Sequence, residues 1–371
     1  MKKALFFVLF AVIAFAGYSQ TAEEYIEWGT EKLLNQEYNG ASEDFSKAID
    51  FDCNSSEAYY FRGCIKRKLQ DNTGSYTDLN TAIKLNPNFV EAYYERGMVK
   101  FDFEDYSGAI SDFTIAIEIK PEYFEAYLGR AFININTENN IGAVADLTTA
   151  IEIDPNIAET YYMRGTAKGK LQDYNWAISD FNMAIELNPE YEDAYLNRGL
   201  TKYTLQNFSE AIEDFTKAIN INSENFEALS GRGSAKADIK DYTGAFDDIA
   251  KAIAINPNYA DAYYNRGCVN IEILDYQGAI KDFTNAIEVN PEYAEAFYNR
   301  GVVKQLLQDY NGAIYDFSMA IAINSIYAKS YYSRGILKII LDIKEGGCLD
   351  LEKADSLGHA EAHEALKISC N

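Results

Sequence analysis

The 371-residue chain is poor in the residue types that most often carry catalysis or bind metals. It contains two histidines and five cysteines. The sequence shows no Ser/His/Asp arrangement, no glycine-rich phosphate loop and no cysteine pair at zinc spacing. We therefore expect a protein that is not an enzyme and that needs no cofactor and no metal.

The two histidines are the strongest metal candidates in the sequence. His359 and His363 lie one helical turn apart, with Glu361 and Glu364 nearby. The segment departs from the metalloprotease pattern, because glutamate does not follow the first histidine. Polar residues on an exposed helix give the same spacing, and this is the interpretation that we adopt.

Basic residues are scarce relative to acids. The chain has 33 Lys and Arg against 57 Asp and Glu, for a formal net charge of −24. Nucleic-acid binding requires a basic surface that displaces counterions, and anionic membranes repel an acidic chain. Neutral or basic protein partners remain, although the acidity can also serve solubility alone.

A long uncharged apolar run is found at the N-terminus. Two lysines precede residues 4–16, a stretch too short to span a bilayer, and small residues follow it. Residues 1–19 are typical of a cleaved secretory signal, with cleavage after Ala16 or Ser19. The mature chain is then expected to be exported to the periplasm or the outside of a Gram-negative-type cell, with no membrane insertion.

Prolines are few and periodically placed. All six occur at one position of a 34-residue unit: Pro87, Pro121, Pro155, Pro189, Pro257 and Pro291. Ten gapless units begin at residues 22, 56, 90, 124, 158, 192, 226, 260, 294 and 328. Positions 1 to 34 are counted from each of these residues, and position 27 is alanine in all ten units.

Each unit carries the apolar pattern of two amphipathic helices. In the eighth unit, Tyr263 and Gly267 share a face of the first helix, and Ala279 and Phe283 share a face of the second. A short polar segment between them predicts a tight turn and antiparallel helices, and Pro291 follows the second helix. Such a hairpin cannot bury its apolar face alone, so neighbouring units must complete the core.

The recurring residues are Tyr at position 4, Arg-Gly at 7 and 8, Ala at 20, Asp-Phe at 23 and 24, Ala at 27 and Pro at 32. This pattern resembles the tetratricopeptide repeat family. The resemblance implies an all-α, right-handed superhelical solenoid of antiparallel helix hairpins, with small residues at positions 8, 20 and 27 packed against large ones at 4 and 24. Residues 22–361 form the ten repeats, and residues 359–371 are expected to form a C-terminal capping helix and tail.

Opposite charges recur at two positions that face each other. Arginine occupies position 7 in nine repeats and aspartate position 23 in all ten. Residues equidistant from a turn meet in antiparallel helices, so Arg266 can reach Asp282 of its own repeat or Asp248 of the preceding one. We expect an Asp–Arg ladder that sets helix register, with solvated, unpaired charges as the alternative.

The resemblance also implies where a ligand would lie, in a groove lined by positions 2, 5, 6, 9, 12 and 13 of the first helices. Position 2 is acidic in nine repeats, and positions 5 and 6 often carry tyrosine and asparagine. The candidate groove residues are Tyr60, Tyr94, Tyr162, Asn197, Tyr264, Asn265, Tyr298 and Asn299. Acids in this groove argue against capture of a C-terminal carboxylate. Alternatively, the tyrosines only cover the neighbouring helix.

The leading functional hypothesis is a non-enzymatic scaffold of the cell envelope or a secretion pathway. Its groove would hold an extended peptide or protein segment that is neutral or basic. Self-assembly into a structural homo-oligomer is the alternative.

Two of the cysteines are expected to pair in an exported chain. Cys348 and Cys370 are equidistant from residue 359, beside the turn at Gly358, so antiparallel helices bring them face to face. We expect a disulfide that holds the capping helix, with two small buried apolar residues as the alternative.

Overall fold

A computed structural model describes residues 21–370, and the regular secondary structure in that range is entirely α-helical. The helices are α1 (Ala22–Leu34), α2 (Tyr38–Phe51), α3 (Ser56–Lys68), α4 (Asn72–Leu85), α5 (Val90–Asp102), α6 (Tyr106–Ile119), α7 (Phe124–Asn136), α8 (Asn140–Ile153), α9 (Ala158–Lys170), α10 (Tyr174–Leu187), α11 (Glu192–Thr204), α12 (Phe208–Ile221), α13 (Phe226–Asp238), α14 (Tyr242–Ile255), α15 (Ala260–Glu272), α16 (Tyr276–Val289), α17 (Ala294–Leu306), α18 (Tyr310–Ile323), α19 (Ala328–Ile340), α20 (Lys344–Ser356) and α21 (Ala362–Ser369). The all-α prediction is confirmed. The predicted signal, residues 1–19, lies outside the described residues.

The helices follow the 34-residue period of the sequence. Each odd-numbered helix from α1 to α19 begins at the first residue of one of the ten units, and α21 is an additional C-terminal helix. Two compact units divide the chain at residue 173, with α1–α9 in the first and α10–α21 in the second. Within each unit, consecutive helices pack against one another in chain order. None of the helices within residues 21–370 is both long and apolar enough to span a membrane.

The turn between the two helices of a repeat has a fixed geometry. In the eighth repeat, Leu274 has a φ of 65°, and its N–H donates to the carbonyl of Ile271 at 3.0 Å. The N–H of Asp275 donates to the carbonyl of Asn270 at 2.8 Å, which completes a Schellman motif. The Asp275 carboxylate then accepts from the Gly278 N–H at 3.0 Å and caps α16. The chain therefore reverses within three residues, which makes α15 and α16 antiparallel.

Close approach between the two helices depends on glycine at position 8. Phe283 is fully buried, and a Cβ added to Gly267 would lie 2.7 Å from the Phe283 Cε1 atom. Ala279 and Ala286, at positions 20 and 27, are also fully buried. The small residues implied by the resemblance therefore surround one large ring in this repeat.

In repeats two to four and six to ten, the aspartate at position 23 is held by the arginine at position 7 of its own repeat, whereas Asp44 of the first repeat is held by Lys32. Arg266 donates from Nε and Nη2 to the two Asp282 oxygens at 2.8 and 2.6 Å, and Asp282 is 3% exposed. The same two-bond geometry joins Arg62 to Asp78, Arg96 to Asp112, Arg130 to Asp146, Arg198 to Asp214, Arg232 to Asp248, Arg300 to Asp316 and Arg334 to Asp350. The structure thus pairs these charges instead of leaving them solvated.

A second donor, at position 11, escaped the sequence analysis. Lys304 lies 2.8 Å from Asp316, and Asn270 donates to Asp282 at 2.9 Å. Lysine occupies position 11 in eight repeats and asparagine in the other two. Position 11 is one helical turn after the arginine at position 7, so this recurrence was the available signal. We call the aspartate with its two donors the aspartate clamp.

Of the two aspartates considered for Arg266, the structure selects Asp282. Asp248 accepts instead from Arg232 and Lys236 of its own repeat, each at 2.7 Å. Burial alone would raise the pKa of Asp248, but these hydrogen bonds lower it below its ordinary value. The sequence alone does not distinguish Asp248 from Asp282, because the two aspartates are predicted to lie symmetrically on either side of the helix that carries Arg266.

The arginine also connects successive repeats through its remaining nitrogen. Arg300 Nη1 donates to Thr284 Oγ1 of the preceding repeat at 3.0 Å, and Arg334 Nη1 donates to Ser318 Oγ at 3.0 Å. For Arg266 the corresponding residue is Ala250, which offers no side-chain oxygen. The clamp therefore contributes to packing between repeats as well as within one.

The C-terminal helix is attached covalently. A disulfide joins Cys348 in α20 to Cys370 directly after α21, with a Cα–Cα distance of 5.8 Å. Cys53, Cys64 and Cys268 are free thiols.

Two glycine substitutions test the close approach of the helices. Gly267→Ala should lower the free energy of unfolding by about 1–3 kcal/mol, because the new methyl group overlaps Phe283. Gly169→Ala should raise it by about 0.5–1 kcal/mol, because no atom lies within 4 Å of the added Cβ and alanine favours the helix. Urea unfolding followed by circular dichroism measures both values. Equal effects of the two substitutions would contradict the packing described for position 8.

The disulfide makes a separate prediction. Peptide mapping under non-reducing conditions should yield one linked Cys348–Cys370 peptide pair. Cys348→Ser should destabilise the C-terminal end by roughly 3 kcal/mol, because the bond closes a loop of 22 residues. Cys53→Ser, at an exposed free thiol, is the matched control and should be neutral. Separately alkylated Cys348 and Cys370 in protein purified without a reductant would refute the bond.

Candidate functional site

The predicted groove tyrosines of the second unit are half-buried rather than freely exposed. The Tyr264 ring lies 5.7 Å from the Phe283 ring and stacks on Tyr293 at 5.0 Å. Tyr298 repeats this contact one repeat later, at 5.6 Å from Phe317. Burial raises the pKa of the Tyr264 hydroxyl, which therefore stays protonated at neutral pH. These rings cover the core, which was the alternative interpretation, and they also form part of the first-helix surface.

The first unit has the same arrangement. Tyr60 lies 4.8 Å from Phe89, and Tyr94 lies 5.6 Å from Phe113. Tyr162 is half-buried as well. Position 5 therefore supplies a half-buried ring that packs on aromatic side chains of the protein.

The predicted asparagines bridge neighbouring first helices. Asn299 donates to the Tyr264 hydroxyl at 3.0 Å, and Asn265 donates to Ser230 Oγ at 3.1 Å. Asn197 donates to the backbone carbonyl of Asp193 in its own helix, at 3.1 Å. Asn265 and Asn299 thus form a polar line across successive repeats.

The thiols at position 9 of the first helices are not activated nucleophiles. Burial raises the pKa of Cys268 to about 11 and also raises the pKa of Cys64. Both side chains remain thiols at neutral pH, whereas the reactive form is the thiolate.

The acidic residues at position 2 are an exposed feature of the first helices. Eight of the nine are exposed, and Glu91 is half-buried. They are Glu23, Glu57, Glu91, Glu125, Glu159, Asp193, Glu227, Asp261 and Glu295. Asp261 accepts a hydrogen bond from the Tyr293 hydroxyl at 2.7 Å. Exposed carboxylates that recur once per repeat give this surface a negative potential.

A polar depression in the second unit brings several predicted residues together. It has a volume of about 350 Å³, and its lining includes Tyr264 and Asn265 together with Tyr203, Asp238 and Glu272. Its hydroxyl groups and its two carboxylates, together with Lys240, suit a hydrogen-bonding group.

An apolar pocket in the first unit was missed by the sequence analysis. It has a volume of about 230 Å³ and is lined by Met98, Phe101, Phe132 and Met163 around Gly129. We call it the Gly129 pocket. Its signal was the replacement of the usual polar or aromatic residue at position 6 by glycine and methionine in adjacent repeats.

The histidines of the C-terminal segment do not converge. The His359 ring stacks on Tyr332 at 4.2 Å, whereas His363 Nδ1 lies 3.4 Å from Asp355. Within residues 21–370, no group of three or more potential metal ligands is found.

Sequence comparison identifies the repeat in half of the ten units. Two models of the tetratricopeptide repeat match the chain, one over residues 158–191, 192–225 and 260–293 and the other over residues 56–89 and 90–123. Each matched segment begins at the first residue of a unit found from the periodicity. No curated protein matches the chain.

Solved structures share the fold at low identity. A tetratricopeptide repeat protein from Parabacteroides merdae has 20% identity and a TM-score of 0.54, over 67% of this chain and 99% of that one. Yeast Tom70 has 13% identity and a TM-score of 0.51, over 94% of each chain. Cut9–Hcn1, a hetero-tetramer of the APC/C, has 12% identity and a TM-score of 0.53, over 96% of this chain and 98% of that one.

These similarities concern the fold alone, and they agree with the helix pairs and the recurring residues described above. The chain is a tetratricopeptide repeat protein with multiple tandem repeats.

Proposed function

We propose that this protein is a non-enzymatic scaffold whose first helices hold a neutral or basic segment of a partner protein. Tetratricopeptide repeat proteins are generally scaffolds of this kind and typically mediate protein–protein interactions. The observation that carries the proposal is the exposed acid at position 2 of eight repeats, on the same helices as half-buried tyrosine and asparagine side chains. The acids attract cationic side chains, and the tyrosine and asparagine groups offer hydrogen bonds to a peptide backbone.

The affinity for a basic segment depends on several position-2 acids together more than on any single one. One exposed ion pair contributes only about 0–1 kcal/mol, and physiological salt screens charges beyond about 8 Å. Several carboxylates spaced one repeat apart can act together on an extended chain with several basic residues. The same charges also repel acidic proteins, which gives the groove selectivity.

We further propose that the scaffold acts outside the cytoplasm, in the periplasm or beyond the outer membrane. The N-terminal apolar run supports export, and the bond between Cys348 and Cys370 is of a kind that persists in oxidising compartments. The partner segment would then belong to an envelope or secreted protein.

Peptide binding tests the groove. A fluorescein-labelled peptide with four lysines in a Gly/Ser background should bind, and its affinity should fall as NaCl is raised from about 50 to 500 mM. Glu295→Lys should weaken binding by about twofold to tenfold in fluorescence anisotropy. Glu288→Lys, at an exposed acid on the second helix α16, makes the same charge change away from the groove and should have little effect.

The peptide titrations with NaCl and with Glu295→Lys can also contradict the proposed acidic groove. Affinity that ignores both salt and Glu295→Lys would mean that the acids serve solubility only. A matched peptide with four glutamates should not bind. Light scattering over a range of concentrations distinguishes self-assembly, which would give a mass that grows with concentration.

A further inference from the structure

We propose that the Gly129 pocket binds one bulky apolar side chain of the partner segment, phenylalanine, leucine or methionine, with a lysine or arginine next to it in sequence. This inference rests on the proposed function, because the pocket lies among the same first-helix positions. The pocket would add one apolar contact to a groove that otherwise binds the segment through charges and hydrogen bonds.

The pocket forms where the fourth repeat has glycine at position 6 and aliphatic or aromatic side chains around it. Gly129 occupies position 6 in α7, and a Cβ there would lie 2.9 Å from the Cζ atom of Phe113. The ring of Phe113 is fully buried and closes the bottom of the space. Position 5 of the same helix is Leu128, where α5 carries Tyr94. The surface is therefore open and apolar at this repeat.

The size and walls of the pocket fit a single side chain. Its volume of about 230 Å³ is below the roughly 300–1,000 Å³ of typical small-molecule sites. Met98 and Met163 line it with flexible thioether chains that adapt to different apolar shapes. Phe132 is 47% exposed and offers a ring for contact. Burying one phenylalanine or leucine side chain here should improve affinity by on the order of tenfold to a hundredfold.

Two acids at the pocket favour a basic residue beside the apolar anchor of the partner segment. Glu125 and Glu159 line the pocket, and both are exposed. They occupy position 2 of α7 and α9, one repeat apart. A cationic residue beside the anchor places its charge against these carboxylates, whereas an acidic neighbour would be repelled.

Two matched peptides test the anchor directly. Both have a Gly/Ser background, one with a central Lys-Phe-Lys and the other with Lys-Ala-Lys. Fluorescence anisotropy with the full mature chain should show at least tenfold tighter binding of the phenylalanine peptide. Phe132→Ala should reduce this ratio to threefold or less, because it removes a wall of the pocket.

Leu200→Ala is the matched control variant. Leu200 is 42% exposed and occupies the same position 9 in α11, in the second compact unit. This variant should keep the tenfold ratio. The double variant Glu125→Gln, Glu159→Gln should weaken both peptides while leaving the ratio unchanged. Circular dichroism confirms that each variant retains its helices.

The outcomes separate the two proposals. Equal, salt-sensitive binding of both peptides would overturn the anchor and leave the acidic groove standing. Equal loss of the ratio in Phe132→Ala and Leu200→Ala would place the anchor elsewhere and would also overturn the inference. Failure of both peptides to bind at millimolar concentration would overturn both the anchor and the proposed groove.

Discussion

The packing of this protein depends on a buried carboxylate that needs two partners. Asp282 is almost fully buried, and its oxygens accept from Arg266 and Asn270 on the neighbouring helix. A buried charge left without partners costs several kcal/mol, so the two helices pack favourably only when both donors are in place. Because the donors lie one turn apart on one helix, the clamp fixes the register of the pair. It is repeated along both compact units with lysine or asparagine as the second donor.

The aspartate clamp also affects the surface charge, because it uses about half of the basic residues. Nine arginines at position 7 and eight lysines at position 11 make up about half of the 33 basic residues of the chain. These cations are directed at the aspartates between helices, whereas the acids at position 2 are almost all exposed. A large part of the basic charge is thus engaged in structure, and position 2 of the first helices remains acidic and exposed. The proposed preference for basic segments follows from this division of charges.

Periodicity predicted the features that every repeat shares, and it missed those that depend on one repeat. The contact between Gly267 and Phe283 and the pairing of Arg266 with an aspartate follow from recurring positions. The Gly129 pocket does not, because it arises from differences between successive repeats at position 6. Nor does periodicity give the half-burial of Tyr264, since the reach of an aromatic ring over its neighbours depends on the distance between helices, which the pattern leaves open.

A double-mutant cycle on Arg266 and Asp282 tests the clamp most directly. Arg266→Gln, Asp282→Asn and the double variant are compared by urea unfolding, with Arg266→Gln and Asp248→Asn as the control cycle. The account predicts a coupling free energy of about 1–3 kcal/mol for the Asp282 cycle and a value near zero for the Asp248 cycle. Strict additivity in the Asp282 cycle, or equal coupling in both cycles, would contradict it.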